Sequence, residues 1–215
     1  MAVPGVSLEL NFAQQIARAN LVIQATPAQL QKAAVRAQRK TLQWVRTRIA
    51  REMAQALGVS QKAFKHRLSI STLGKGSEQV HILWFGSLPL SADALGRPRQ
   101  TRKGVTVGRR SWKGAFYRSV YNPEPNVWIR ASRAADLGLD LPTWGGSGRP
   151  GDGKFLDHGG PNDSSQRGRF PLRRVGVAVE QQAAEIFRRF ERRGQDRFES
   201  VLEQELNYVV NHERK

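Results

Sequence analysis

One uninterrupted helical pattern constrains this chain more than any other feature. Thr26-Pro27-Ala28-Gln29 has the form of a helix start: Thr26 can cap, Pro27 suits the first helical position, and Gln29 completes a capping box. Gly58 supplies the stop. Between them Leu30, Ala34, Ala37, Thr41, Val45, Ile49, Met53 and Ala56 recur every three or four residues, the helical period. At 1.5 Å per residue such a helix is roughly 45 Å long. An amphipathic rod of that length leaves the rest of the chain to be arranged about its apolar side.

The same segment carries much of the charge. From Leu10 through Arg51 there is no acidic residue, while Arg18, Lys32, Arg36, Arg39, Lys40, Arg46, Arg48 and Arg51 are basic. Lys32, Arg36, Arg39, Lys40, Arg46 and Arg51 read as lying opposite the apolar stripe, and only Arg48 beside it. A second acid-free run holds Arg97, Arg99, Arg102, Lys103, Arg109, Arg110, Lys113 and Arg118. The last 36 residues differ, with eight acids nearly balancing seven Lys and Arg. The formal net charge of +17 therefore sits in the first two thirds of the chain. It narrows the partners to nucleic acid, an anionic membrane surface or acidic protein.

At 215 residues, with ordinary apolar content, the chain reads as a single domain, 1–215. Residues 1–25 are a candidate N-terminal arm. There is no cysteine, so neither disulfide nor thiolate chemistry is available. Met1-Ala2-Val3-Pro4-Gly5 lacks the basic patch and apolar run of a secretory signal. No stretch approaches the roughly 18 apolar residues of a membrane span, and no membrane partner is expected.

Ser60 opens a short helix over Gln61 to Arg67, and strands should follow. Arg67 to Thr72 alternates, and Glu78 to Phe85 is rich in β-formers, with Val80, Ile82 and Trp84 on one face. Gly104 to Val107, Ala115 to Tyr121 and Asn126 to Arg130 are further candidates, punctuated as in an antiparallel meander. Residues 134–168 hold nine glycines and little periodicity, and read as a long loop or arm. A second long helix is expected over Val179 to Val210, with Ala183, Phe187, Phe190, Phe198, Val201, Leu202 and Val209 on one face. Gly194 falls on that face, marking either a kink or the close approach of another element.

Several motifs fail on chemistry. Gly148-Arg149-Pro150-Gly151-Asp152-Gly153-Lys154 has phosphate-loop spacing, but the next residue is Phe155 rather than the hydroxyl needed to hold Mg²⁺. The glycines and Pro161 beyond it cannot continue a helix. His66, His81, His158 and His212 stand at no metal-ligand spacing, so no metal and no cofactor is expected. Asp157-His158 has no evident nucleophile partner. The acids before residue 179 are scattered, whereas nuclease or glycosidase chemistry needs them clustered, so no enzyme and no catalytic residue is expected. In the basic loop from Arg97 to Lys113, Trp112 either stacks on a base or packs in a core; Phe116 reads as core. No base-reading motif accompanies the charge.

The order of segments is itself a signal. A long basic helix precedes Ser60-Gln-Lys-Ala-Phe-Lys-His-Arg-Leu68; strands and an arginine-rich insert follow, then Gly114-Ala115-Phe116, Asn126-Val127-Trp128-Ile129-Arg130 and Phe170-Pro171-Leu172; a long charged helix closes on Leu206-Asn-Tyr-Val-Val210. This resembles the minor tail protein Z family, the tail-completion proteins of tailed bacteriophages and prophages, over roughly residues 27–210. The glycine-rich stretch from Leu137 to Gly168 is longer than that family leads one to expect. The resemblance implies a non-enzymatic virion protein at the head-proximal neck of the tail, present in the host cytoplasm during assembly. It implies head–tail joining and genome positioning beside tail-terminator and head–tail connector proteins, with the tape measure protein a further candidate neighbour. Genomic DNA would pass through the channel, and a homo-oligomeric ring, a hexamer, is expected. The alternative is a non-sequence-specific nucleic-acid-binding protein.

The expected fold class is α+β: a long N-terminal amphipathic helix, an antiparallel sheet with a long basic and glycine-rich insert, and a long C-terminal helix packed on the sheet. The candidate DNA- or partner-facing residues are Lys32, Arg36, Arg39, Lys40, Arg46 and Arg51 on the helix, and Arg97, Arg99, Arg102, Lys103, Arg109, Arg110 and Lys113 in the insert.

Overall fold

The computed structural model describes residues 5–22, 25–74, 79–120, 124–139 and 172–213. In chain order the elements are β1 (Gly5–Asn11), α1 (Ala13–Val22), α2 (Pro27–Leu57), β2 (Leu68–Leu73), β3 (Val80–Gly86), β4 (Leu90–Ser91), β5 (Pro98–Thr101), β6 (Gly104–Val107), β7 (Arg110–Lys113), β8 (Phe116–Arg118), β9 (Asn126–Arg130), α3 (Ala131–Asp136), β10 (Leu172–Arg174), β11 (Gly176–Val177) and α4 (Glu180–Asn211). The class is α+β, as the periodicities require. The chain was expected to form one domain. Its contacts instead group into two compact units, residues 88–179 and a second made of Pro4–Ser87 with Glu180–Lys215.

In the second unit α2 and α4 pack along one another, and α4 also packs on β1. The α2 ends are those of the capping chemistry. The Thr26 side chain accepts from the Gln29 N–H, Gln29 reaches back to the Thr26 N–H, and Gly58 closes the helix in the left-handed conformation. The buried stripe includes Ala34, Ala37, Thr41, Val45, Ile49 and Met53, and gains Ala33, Gln38, Leu42, Ala54 and Leu57, while Ala56 is exposed. The α4 stripe buries Ala183, Phe187, Phe190, Phe198, Val201, Leu202 and Val209.

Gly194 marks a close approach. A Cβ there would lie 3.2 Å from Leu10 Cδ2 and 3.6 Å from Val45 Cγ2, so β1 and α2 both come up against α4 at this point. The expected N-terminal arm is a strand and a helix instead. Val6, Leu8 and Leu10 alternate toward the core, and β1 pairs with β3 from Gly5↔Gly86 to Asn11↔Val80. Leu8, Leu10 and Phe12 are fully buried, which ties the segment down. Phe12 stacks on Phe198 with ring centroids 4.1 Å apart.

The sheet of this unit has the order β1-β3-β2, all antiparallel. Its inner face carries His81, Leu83 and Phe85 from the central strand. Val80, Ile82 and Trp84 share the other face and are half-buried. The short helix after Ser60 is one 3-10 turn, Gln61–Phe64, which drops Phe64 into the core against Phe85.

Residues 88–179 are built from small antiparallel sheets, β10-β9-β8, β5-β6-β7 and the pair β11-β4. Val105, Val107, Trp112, Val127, Ile129 and Val175 form their shared core. Strand β9 is almost wholly buried. Arg174 reaches Asp93, with an oxygen 3.0 Å away, and also donates to Asn126, pinning β10 to β9 and to the turn after β4. The loop expected over 134–168 starts too early: Ala134 is buried in α3, and Leu139 packs on the core. The remainder, with the Gly148–Lys154 motif and Asp157-His158, lies outside the described residues.

Candidate anion-facing surface

The thirteen candidate cations do not form one surface. On α2 they divide between two flanks. Lys32, Arg36 and Lys40 lie on the flank toward α4, where acids meet them. Glu213 takes Lys32 at 2.7 Å and Arg36 at 3.0 Å, and Glu205 takes Lys40. The hydrogen bonds to Lys32 and Arg36 hold the Glu213 carboxyl below the usual carboxylate range, and the same contact raises Arg36. These three residues therefore clamp the helix pair; they do not point away from the packed side as the period suggested. The acids that claim Lys40 and Arg36 lie 165 and 177 residues away in sequence.

The other flank carries Arg39 and Arg46 beside β2. Arg39 is exposed, and Arg46 is half-buried, with a guanidinium nitrogen 3.5 Å from the Lys65 carbonyl. Arg51 is exposed near the C-terminal end. Arg48 sits with its guanidinium 5.8 Å from the Trp44 ring. A third cluster joins the helices, Glu52 with Arg189 and Arg193 at 3.4 and 2.7 Å.

The basic insert is not a loop. Arg97 to Lys113 folds as the three-stranded sheet β5-β6-β7, with Arg99↔Thr106↔Ser111 in one row and Thr101↔Gly104↔Lys113 in the next. Those two rows share the outer face, where Arg99, Thr101, Ser111 and Lys113 are exposed. The intervening row, Gln100, Val105 and Trp112, turns inward, and Val105 and Trp112 are buried. Arg102 and Lys103 form the first turn and Arg109 the second, all exposed, with Arg97 exposed just ahead of β5 and Arg110 half-buried at the start of β7. The cations thus stand at both ends of a strand about 13 Å long and on the face between.

Gly104 makes the sheet this tight. Its φ is +155°, and a Cβ there would meet the Trp112 carbonyl oxygen at 2.0 Å. Trp112 packs in the core and has no face to offer a base. Phe116 is only half-buried, the reverse of the expected order.

Among the described residues of 88–179 there are twelve Lys and Arg against Asp93, Glu124 and Asp136. Asp93 is held by Arg174, and Asp136 lies 3.6 Å from Arg133. Among the described residues, the outer face of β5-β6-β7 therefore has cations without an acidic partner, hydroxyls between them and no aromatic platform. Chemically it can hold phosphates or carboxylates. Among the described residues no group of three or more His, Asp or Glu could hold a metal ion, and no helix is long and apolar enough to cross a membrane.

A further feature is a groove between α2 and β2. It has a volume of about 540 Å³, with His81 and Thr72 in its wall. Its trace in the sequence is a histidine next to the first residue of the otherwise apolar β3.

This surface and fold define a class no narrower than an α+β protein with a cationic sheet. No protein-family model, curated protein or solved structure matches the chain.

Proposed function

We propose that this chain is a structural virion protein of a tailed bacteriophage or prophage, a tail-completion protein of the minor tail protein Z kind. It acts at the head-proximal neck without catalysis, supporting head–tail joining and genome positioning. One observation carries the reading: the outer face of β5-β6-β7 presents cations at both ends and along its middle, with its tryptophan turned into the core. Such a face offsets phosphate charge without selecting sequence, which suits a channel that genomic DNA must traverse. The order of the long basic helix, strands, insert and charged C-terminal helix supports the same reading. Tail-terminator and connector proteins are the proposed neighbours, with a hexameric ring as the assembly and the tape measure protein as a further contact.

Subunit mapping of purified particles tests it. Immunogold label should collect at the neck; protein found in lysate and never in particles would overturn the reading. The second reading, a free non-sequence-specific nucleic-acid-binding protein, draws on the same face. It requires binding to free duplex DNA with a steep salt slope. Replacing Arg99, Arg102, Lys103 and Lys113 by Gln should then lower the slope by about one per lost phosphate contact.

A further inference from the structure

The groove between α2 and β2 is the feature that neither the fold nor the cationic sheet explains. It is lined on the helix side by Val35, Arg39 and Arg46 and on the sheet side by Ile70, Thr72 and His81. Strand β2 is an edge. It pairs with β3 from Leu68↔Phe85 to Leu73↔Val80 and with no other strand among the described residues. In an antiparallel edge strand, alternate residues direct N–H and C=O groups outward, a ready template for another strand. Proteins usually blunt such edges with charge or proline on the strand itself. Here β2 reads Leu-Ser-Ile-Ser-Thr-Leu and carries neither.

The chemistry of the walls says what fits. Among the described residues no acidic side chain lines the groove, and Arg39 and Arg46 are its two arginines. Arg39 makes no ion pair among the described residues, in contrast to Lys32, Arg36 and Lys40 on the opposite flank. Val35, in the same lining, is 54% exposed. His81 is only 4% exposed and bonds Thr72 through Nδ1 at 2.9 Å, yet its Nε2 is buried without a partner. A buried polar atom left open in a groove wall has an unmet hydrogen bond.

We infer that this groove binds an extended acidic segment of another protein, which adds as a strand to the free edge of β2. Main-chain hydrogen bonds to Leu68–Leu73 hold it, and carboxylates at alternate positions meet Arg39 and Arg46. Nucleic acid is the competing occupant, but it lacks a backbone that can satisfy a strand edge. The inference does not depend on the particle reading, because any acidic strand partner satisfies it.

Amide hydrogen exchange on the full chain tests it. The first probe is an eight-residue peptide alternating threonine and glutamate. Controls are the glutamine and lysine analogues and an oligothymidylate of equal length. The acidic peptide should slow exchange across Leu68–Leu73, and neither control peptide should. Arg39→Gln with Arg46→Gln should weaken peptide binding by about tenfold or more, whereas Arg99→Gln with Lys113→Gln should leave it unchanged. Circular dichroism checks that both variants fold, and the exchange pattern of the unsubstituted chain stands without them. The inference is overturned if the acidic peptide leaves β2 unprotected. It is also overturned if the oligothymidylate protects β2 equally, or if binding follows Arg99 and Lys113 instead.

Discussion

His81 shows how the partners of a single side chain depend on elements other than its own strand. Its alternation with Leu83 and Phe85 puts it on the inner face of β3, where burial lowers its pKa from the ordinary 6.5. The sign follows directly. The unfolded chain takes up a proton at this site as pH falls through about 6.5, while the folded chain resists until lower pH. Stability contributed here is full above the ordinary value and declines on mild acidification. Urea midpoints should fall between about pH 7.5 and 5.5, and His81→Gln should flatten that slope. A slope unchanged by the substitution would show that His81 does not titrate with folding. Reading the strand alone placed His81 on a face, but its partner Thr72 and its open Nε2 depend on β2 and α2 lying alongside.

At the scale of the element, the two long helices were legible because each carries many turns of one period and α2 carries both caps. The flank assignments on α2 were not legible. Helical periodicity separates apolar from polar positions, but it cannot tell which polar flank a partner will meet. Arg36 and Lys40 look like Arg39 on a wheel, yet the first two are claimed by Glu213 and Glu205. The structure therefore separates their effects. Lys40→Glu places a carboxylate beside Glu205, which is 7% exposed, and should destabilise the chain by about 1–3 kcal/mol. Arg39→Glu should change stability by less than about 0.5 kcal/mol. Thermal or urea unfolding of the two single variants checks this, and equal losses would mean the flanks are not distinct.

The short strands β4, β5, β7, β10 and β11 were missed for a different reason. Pro98-Arg-Gln-Thr and Arg110-Ser-Trp-Lys are four residues each, and their exposed rows are polar. They are strands because Val105 and Val107 between them need neighbours, and no local pattern records that need. The opposite error befell β1, whose alternation is visible but whose position at the start of the chain suggested an arm. The cationic face was thus present in the sequence as a charge run, while its strand pairing and its buried tryptophan were not.

For the molecule as a whole, the arrangement of units is the informative fact. Residues 88–179 interrupt a second unit whose parts lie before and after them in sequence. Leu90 pairs with Val177 and Ser91 with Gly176, so the inserted chain begins and ends on adjacent antiparallel strands. Each unit has its own core. Replacing 88–179 with a short Gly-Ser linker should leave the α2–α4 pair folded, with helical circular dichroism and cooperative melting retained. Loss of the cooperative transition would show that the two cores fold only together.

The β4–β11 pair has a consequence for how such a chain can change over evolutionary time. Where entry and exit run side by side, everything between them behaves as a cassette. Residues added or lost between Leu139 and Leu172 shift no register in α2 or α4, because Leu90↔Val177 fixes where the chain returns. Length variation can accumulate there while the helix pair keeps its contacts, and two relatives could share every helical residue yet differ widely in what they present to an anion.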